Sequence, residues 1–292
     1  KHQFADRLDT MMLALFNYIE RNCYSNNVLK WDIAKSIYKD LLFIFDKYIL
    51  VTYGSNHVQF LLFYICGFKL QLAEGFLDYL WKKFNSVNSC SITKQVCAFY
   101  MGSYLSRAKY IPLNTCLATL QLMIKWIHKY IEKNSTSNIL FDLHRTFYAL
   151  CQTIFYIIIF RNRQLFNDDD LHNNNKLDLV KSWKLNEIVS SRLNPLRYCL
   201  PTVRTKFAKI TYIHQIAYCY SIIDANNRIT LPLSNQGHLN INGAFFDNKK
   251  SSQNVNAAEL QENPLDSFFP FDPYLLIRSK PFIEKFYIEY ND

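Results

Sequence analysis

A chain of 292 residues that is half hydrophobic and 16% aromatic can bury a sizeable core, which excludes a disordered protein. Its formal charge of +9 suits acidic partners (nucleic acid, an anionic membrane, an acidic protein face) or simply a soluble basic protein. With 6 Gly, 8 Pro, no proline before Pro112 and none between Pro112 and Pro195, long helices are unobstructed.

In chain order, Leu8, Met12, Leu15 and Ile19 recur at helical spacing, and so do Ile33, Ile37, Leu41, Phe45 and Ile49. Leu117, Leu120, Ile124, Ile127 and Ile131 repeat the pattern further on. Polar runs at 25–27, 54–56, 85–90 and 134–138 mark loops. No hairpin signal separates alternating runs, so the expectation is an all-α chain with antiparallel neighbours. Helix-pair starts near 1, 57, 91 and 137 fit a degenerate HEAT-like array, whose repeats run ~40–47 residues. The most apolar stretch, Phe147 to Phe160, is too short and too polar-flanked for a membrane span. Its Ile157–Ile158–Ile159 would suit a strand, but the surrounding Gly- and Pro-free sequence favours a buried helix.

The expected organisation is a HEAT-like array over 1–162, a polar linker over 163–179, and further helices of the array over 180–225. Pro201 would open a long helix ending near Asp224. Asn-, Ser- and Gly-rich sequence over 226–263 reads as a mobile loop. Residues 264–292 read as an aromatic strap and a terminal helix around Phe282 to Tyr290, packed on the array. From Phe268 to Pro273, three aromatics and two prolines fall in six residues, too rigid and apolar for an ordinary tail. Phe268, Phe269, Phe271 and Asp272 are therefore assigned to a strap docked on the folded array, the alternative being a partner-binding aromatic motif.

The sequence holds no Gly-rich phosphate loop, no zinc spacing and no nucleophile-elbow motif, so it nominates no catalytic residue, no cofactor and no metal site. Eight cysteines without a CxxC suit buried free thiols in a reducing compartment. His144 reads as a satisfied structural histidine, and Asp168–Asp169–Asp170 as a solvated run.

Basic residues are more telling. Lys181, Lys184, Arg192, Arg197, Arg204, Lys206 and Lys209 face a single acid, Glu187, and form a candidate basic patch. Lys82 and Lys83 follow Trp81, and Arg107 and Lys109 follow Ser106; these six residues form a candidate partner-binding surface. A solvated basic face is the bland alternative for both groups. Trp81 and Trp126 also sit in helical stripes that suit a core.

Several blocks occur together and in order: His57–Val58–Gln59–Phe60, Ala73 to Lys83, Tyr104 to Pro112, Asn194 to Val203, Tyr218 to Arg228, and Leu265 to Leu276 with its FFPFDP run. In them the chain resembles the RNA polymerase I-specific transcription initiation factor family, known in animals as TIF-IA. The resemblance extends to the C-terminal half of that family, so the chain is expected to be a piece of a longer protein. It implies a HEAT-repeat solenoid and a non-enzymatic adaptor in the nucleus and nucleolus. By the same resemblance, the adaptor binds RNA polymerase I subunits and bridges them to promoter core factor, with phosphorylation adjusting the affinity and ribosomal DNA a further candidate partner. It implies no membrane and no small-molecule substrate. Two other readings stay open: a generic HEAT-type scaffold or transport receptor, and a non-specific nucleic-acid-binding helical protein.

Overall fold

A computed structural model of the chain describes residues 3–52, 54–166, 173–230, 265 and 269–289. Helix follows helix: α1 (Gln3–Cys23), α2 (Trp31–Ile44), α3 (Phe60–Cys66), α4 (Leu70–Asn85), α5 (Ser91–Arg107), α6 (Leu113–Lys133) and α7 (Arg145–Phe160). Among the described residues the one sheet is a two-stranded hairpin, β1 (Tyr24–Ser25) and β2 (Val28–Leu29). Its turn places Asn26 and Asn27 both at positive φ, the geometry Asn tolerates best after Gly. α2 runs without interruption into a π-helical turn, Phe45–Ile49.

The architecture is an all-α helical solenoid. α4 packs on α5 and α6 on α7, while α5, α7 and the helix Pro201–Ile213 stand side by side as an inner row. The antiparallel pairs therefore begin at Leu70 and Leu113. The expected starts at 57, 91 and 137 are out of register because the polar run 85–90 joins two helices of one pair instead of separating pairs. α7 is buried from Phe147 to Ile159, so the isoleucine run is helical and central. α5 is buried continuously from Cys97 to Arg107. Gly102 allows its close crossing with α7: a Cβ there would lie 3.0 Å from Thr153 Cγ2.

α5 is enclosed on both sides because the segment from Phe269 onward crosses the inner row as a strap. Phe271 is wholly buried among Phe60 and Phe63 of α3 and Tyr100 and Tyr104 of α5, with ring centroids 5.1 to 5.7 Å away. Burying such a ring contributes roughly 1.5–3 kcal/mol, with about 0.5–1.5 kcal/mol more for aromatic pairing. The strap backbone is satisfied by side chains of the array: Gln59 Nε2 donates to the Pro270 carbonyl at 2.5 Å, and the Phe271 amide donates to Ser103 Oγ at 2.9 Å. Phe269 stacks on Tyr156 of α7 at 4.0 Å. Phe268 lies outside the described residues.

The chain then reaches α1. Asp9, 6% exposed, accepts from the Arg278 and Ser279 amides and from the Ser279 hydroxyl at 2.8, 3.0 and 2.6 Å. The terminal helix is only Lys280–Glu284, shorter than expected. Tyr287 leaves it to form an antiparallel bridge with Ala108, flanked by the Ile288 amide on Arg107 O and the Lys109 amide on Phe286 O, each at 2.8 Å.

Three further expectations change. The stretch 163–179 contains helices Asn162–Phe166, with Leu165 and Phe166 buried, and Asn173–Ser182, because its few apolar residues suffice to dock on the array. The expected long helix stops at Ile213, where Gln215 takes a φ of 54°, and a new one runs over Tyr220–Thr230. That helix takes in the first five residues of the expected loop, anchored by buried Asn226, whose side-chain amide pairs with that of Asn194 at 2.7 and 3.2 Å. The rest of that loop and Asp168–Asp170 lie outside the described residues.

Candidate partner-binding surfaces

The six residues proposed as one surface do not form one. Ser106 is fully buried, and Arg107 is 7% exposed at the C-terminus of α5. The Arg107 guanidinium ion-pairs with the Asp272 carboxylate, donates to the Ile288 carbonyl at 3.0 Å, and stacks against Phe160 and Tyr287 at 4.3 and 5.1 Å. Asp272 also accepts from the Tyr156 hydroxyl. A planar guanidinium can be buried this way because it offers donors in its plane and a face for rings. Arg107 and Asp272 are thus the polar lock of the strap, and Arg107 is not a docking residue. Lys109, two positions on, points its side chain to solvent.

α4 supplies the other three. Trp81 is half-buried and stacks on Phe84 at 5.4 Å; Phe84 meets Trp126 of α6 at 5.2 Å, and Trp126 stacks on Tyr130 at 5.0 Å. Lys82 is exposed and pairs with Asp78 one turn back at 2.6 Å. Lys83 reaches Asp46 at 2.6 Å, and the Tyr79 hydroxyl donates to the same carboxylate. Those hydrogen bonds hold the Asp46 carboxyl below the usual aspartate range, against the opposing effect of burial.

The basic patch also sorts. Arg204 is buried and Lys206 half-buried, while Lys181, Lys184, Arg192, Arg197 and Lys209 are exposed. Lys184 pairs with Glu187 at 3.1 Å, and Arg197 lies over its neighbour Tyr198 at 5.8 Å. The structure adds residues the sequence reading missed: Lys125, Lys129 and Lys133, exposed on the C-terminal half of α6. His128 of that helix contacts the Trp183 carbonyl at 2.9 Å, and Arg192 donates to the Ser135 carbonyl at 3.2 Å. These bonds bring the α6 lysines beside Lys181, Lys184 and Arg192. The four-residue spacing of Lys125, Lys129 and Lys133 was the available signal.

His144 is buried and satisfied on both ring nitrogens, by the Tyr130 hydroxyl at 3.0 Å and the Asn138 carbonyl at 2.6 Å. Seven cysteines are buried and Cys90 is exposed. Among the described residues no cluster of His, Cys, Asp and Glu could hold a metal, and no helix is long and apolar enough to cross a membrane.

Paired helices in successive ranks, a covered inner row and separate charged outer faces define a helical-repeat solenoid protein. The chain matches the family described as RNA polymerase I specific transcription initiation factor RRN3 over residues 1–292, and it belongs to that family. It is 40% identical over 294 residues to the RNA polymerase I-specific transcription initiation factor RRN3 of Mus musculus, covering 100% of this chain and 42% of that one. It is 29% identical over 296 residues to rrn3 of Schizosaccharomyces pombe, covering 99% of this chain and 44% of the relative. The crystal structure of RNA polymerase I transcription initiation factor Rrn3 is similar, with a TM-score of 0.79 and 25% identity, over 98% of this chain and 55% of that chain. The chain thus spans less than half the length of these curated relatives.

Proposed function

We propose that this chain serves ribosomal RNA gene transcription as a non-enzymatic initiation factor in the nucleus and nucleolus, binding RNA polymerase I and bridging it to promoter-bound core factor. The observation that carries this reading is the family match along the whole chain, joined by the shared fold. The architecture leaves surface for partners: the strap closes the inner row, while an outer groove between α4 and α6 and a basic face on the C-terminal half of α6 stay exposed. The test is a pull-down with purified RNA polymerase I and purified core factor, singly and together. Retention of each, and of polymerase through core factor, is expected; binding of neither overturns the reading. Charge-reversal variants for this test are Lys82→Glu and Lys109→Glu, and they leave out Arg107, whose reversal would break the strap.

A second reading, contact with ribosomal DNA, is favoured by the α6 lysines beside Lys181, Lys184 and Arg192. Phosphate contacts through these side chains would make affinity for duplex DNA fall steeply with salt, with a slope of about −0.9 per phosphate neutralised. A salt-independent affinity would remove this reading.

A further inference from the structure

The outer layer opens between α4 and α6 into a groove of about 420 Å³. Leu77, Trp81, Ala118 and Leu122 line it with apolar surface, and Leu122 is 50% exposed in a helix otherwise well docked. One end is closed by the Thr115 hydroxyl donating to Glu74 at 3.1 Å, the other by the aromatic column Trp81–Phe84–Trp126. The α6 wall is neutral: Asn114, Thr115 and Thr119, with the Thr119 hydroxyl satisfied on the Thr115 carbonyl at 2.9 Å. The α4 wall carries Glu74 and Asp78, one helical turn apart. Among the described residues no basic one lines the groove; Lys82 touches its rim by an exposed pair with Asp78 at 2.6 Å, and exposed pairs of this kind are easily exchanged.

In a chain of formal charge +9, an apolar slot with carboxylates on one side selects against the acidic partners that the rest of the surface attracts. We infer that this groove is a docking site for a basic amphipathic helical segment of a partner protein, which inserts an aliphatic or aromatic anchor between Trp81 and Leu122. A Lys or Arg one turn from the anchor pairs with Glu74 and Asp78, displacing Lys82. A cavity of roughly 150 Å³ holds one benzene-sized ring, so the groove has room for an anchor and a neighbouring apolar side chain of a docked helix. The site is independent of which protein carries the segment.

A phage-displayed library of random peptides about 16 residues long, roughly four helical turns, is selected on the whole chain and then tested on two variants. Leu122→Asp places a charge in the slot from a half-exposed position, and Glu74→Lys with Asp78→Lys reverses the rim; circular dichroism and melting confirm both folds. Selected peptides are expected to share an apolar anchor with Lys or Arg three or four residues away. Each substitution is expected to weaken them at least about tenfold, the effect of losing one anchor or one charge pair. Enriched peptides that are acidic, peptides insensitive to Leu122→Asp, or no enrichment at all would overturn the inference. Peptide binding is read without polymerase or core factor, so its failure is separable from a failure of the pull-down with those partners.

Discussion

The inner and outer faces of the array use similar residues to opposite ends. On the inner row, Arg107 sits among aromatic rings with its guanidinium committed to Asp272 and the Ile288 carbonyl. On the outer layer, Lys82 pairs with the exposed carboxylate of Asp78. Both follow an aromatic-rich stretch in the sequence and both look like surface cations there. The difference comes from a segment more than 160 residues downstream, which brings a carboxylate, a carbonyl and the Tyr287 ring to Arg107. A cation in a helical repeat is therefore read only after asking what covers its face.

The sharpest way to break this contrast is Phe271→Ala, which empties the centre of the strap's aromatic nest. It should cost about 3–5 kcal/mol, the range for deleting a fully buried Phe, measured by denaturant unfolding. An unchanged midpoint together with lost partner binding would turn the strap into an interaction motif.

Arg107→Met comes next. It should cost about 3 kcal/mol, at the low end for breaking a buried pair because Asp272 retains tyrosine donors and some water. Adding Asp272→Asn should recover part of the loss, a coupling of about 1 kcal/mol or more in a double-mutant cycle. Strict additivity would mean that the pair does not lock the strap.

Asp9→Asn should cost about 1–3 kcal/mol by weakening the acceptor for three donors. Burial pushes the Asp9 carboxyl up, but the Ser279 hydroxyl, the Arg278 and Ser279 amides and the Arg278 charge together bring it below the usual aspartate range. A folded pKa below the unfolded one gives stability that is complete above the ordinary aspartate value of about 3.9 and lost as pH falls through the folded value. Urea midpoints from pH 6 downward should therefore fall less steeply in the variant; parallel curves would reject the assignment.

The smallest expected effect is on the outer face. Replacing Lys125, Lys129 and Lys133 by Gln should shift stability by no more than about 0.5 kcal/mol per site. If that face meets DNA, the slope of log affinity against log salt should lessen by about 0.9 for each lysine that contacts phosphate. A melting point lowered by several degrees would show instead that these side chains are structural.

Much of this was legible in the sequence. The 3–4 spacing of apolar residues fixes helices because it describes one helix at a time, and the PFDP run announced its own rigidity. What the sequence hid was long-range pairing. Nothing local distinguishes Arg107, which is buried, from Lys109, which is not, and nothing near Arg204 signals that it turns inward. Pair boundaries slipped for a related reason: a polar loop inside a pair resembles a polar loop between pairs. The α6 lysines were overlooked because their neighbours in the patch lie about 50 residues away in sequence and are joined to them by long-range bonds such as those on the Trp183 and Ser135 carbonyls.

The strap has a consequence for the order of events in a cell. Ribosomes deliver residues in sequence, so α1 to α7 emerge well before Phe269 to Ile288. During that interval Phe60, Phe63, Tyr100 and Tyr104 stand without Phe271, and Ser103 and Gln59 without the backbone groups they bind. An array of repeats can fold rank by rank from near-neighbour contacts, but its seal arrives after the ranks it closes and reaches back to Asp9 of α1. Nascent chains halted before Phe269 should thus be the ones that recruit chaperones, and emergence of Phe269 to Ile288 should be the step that frees them.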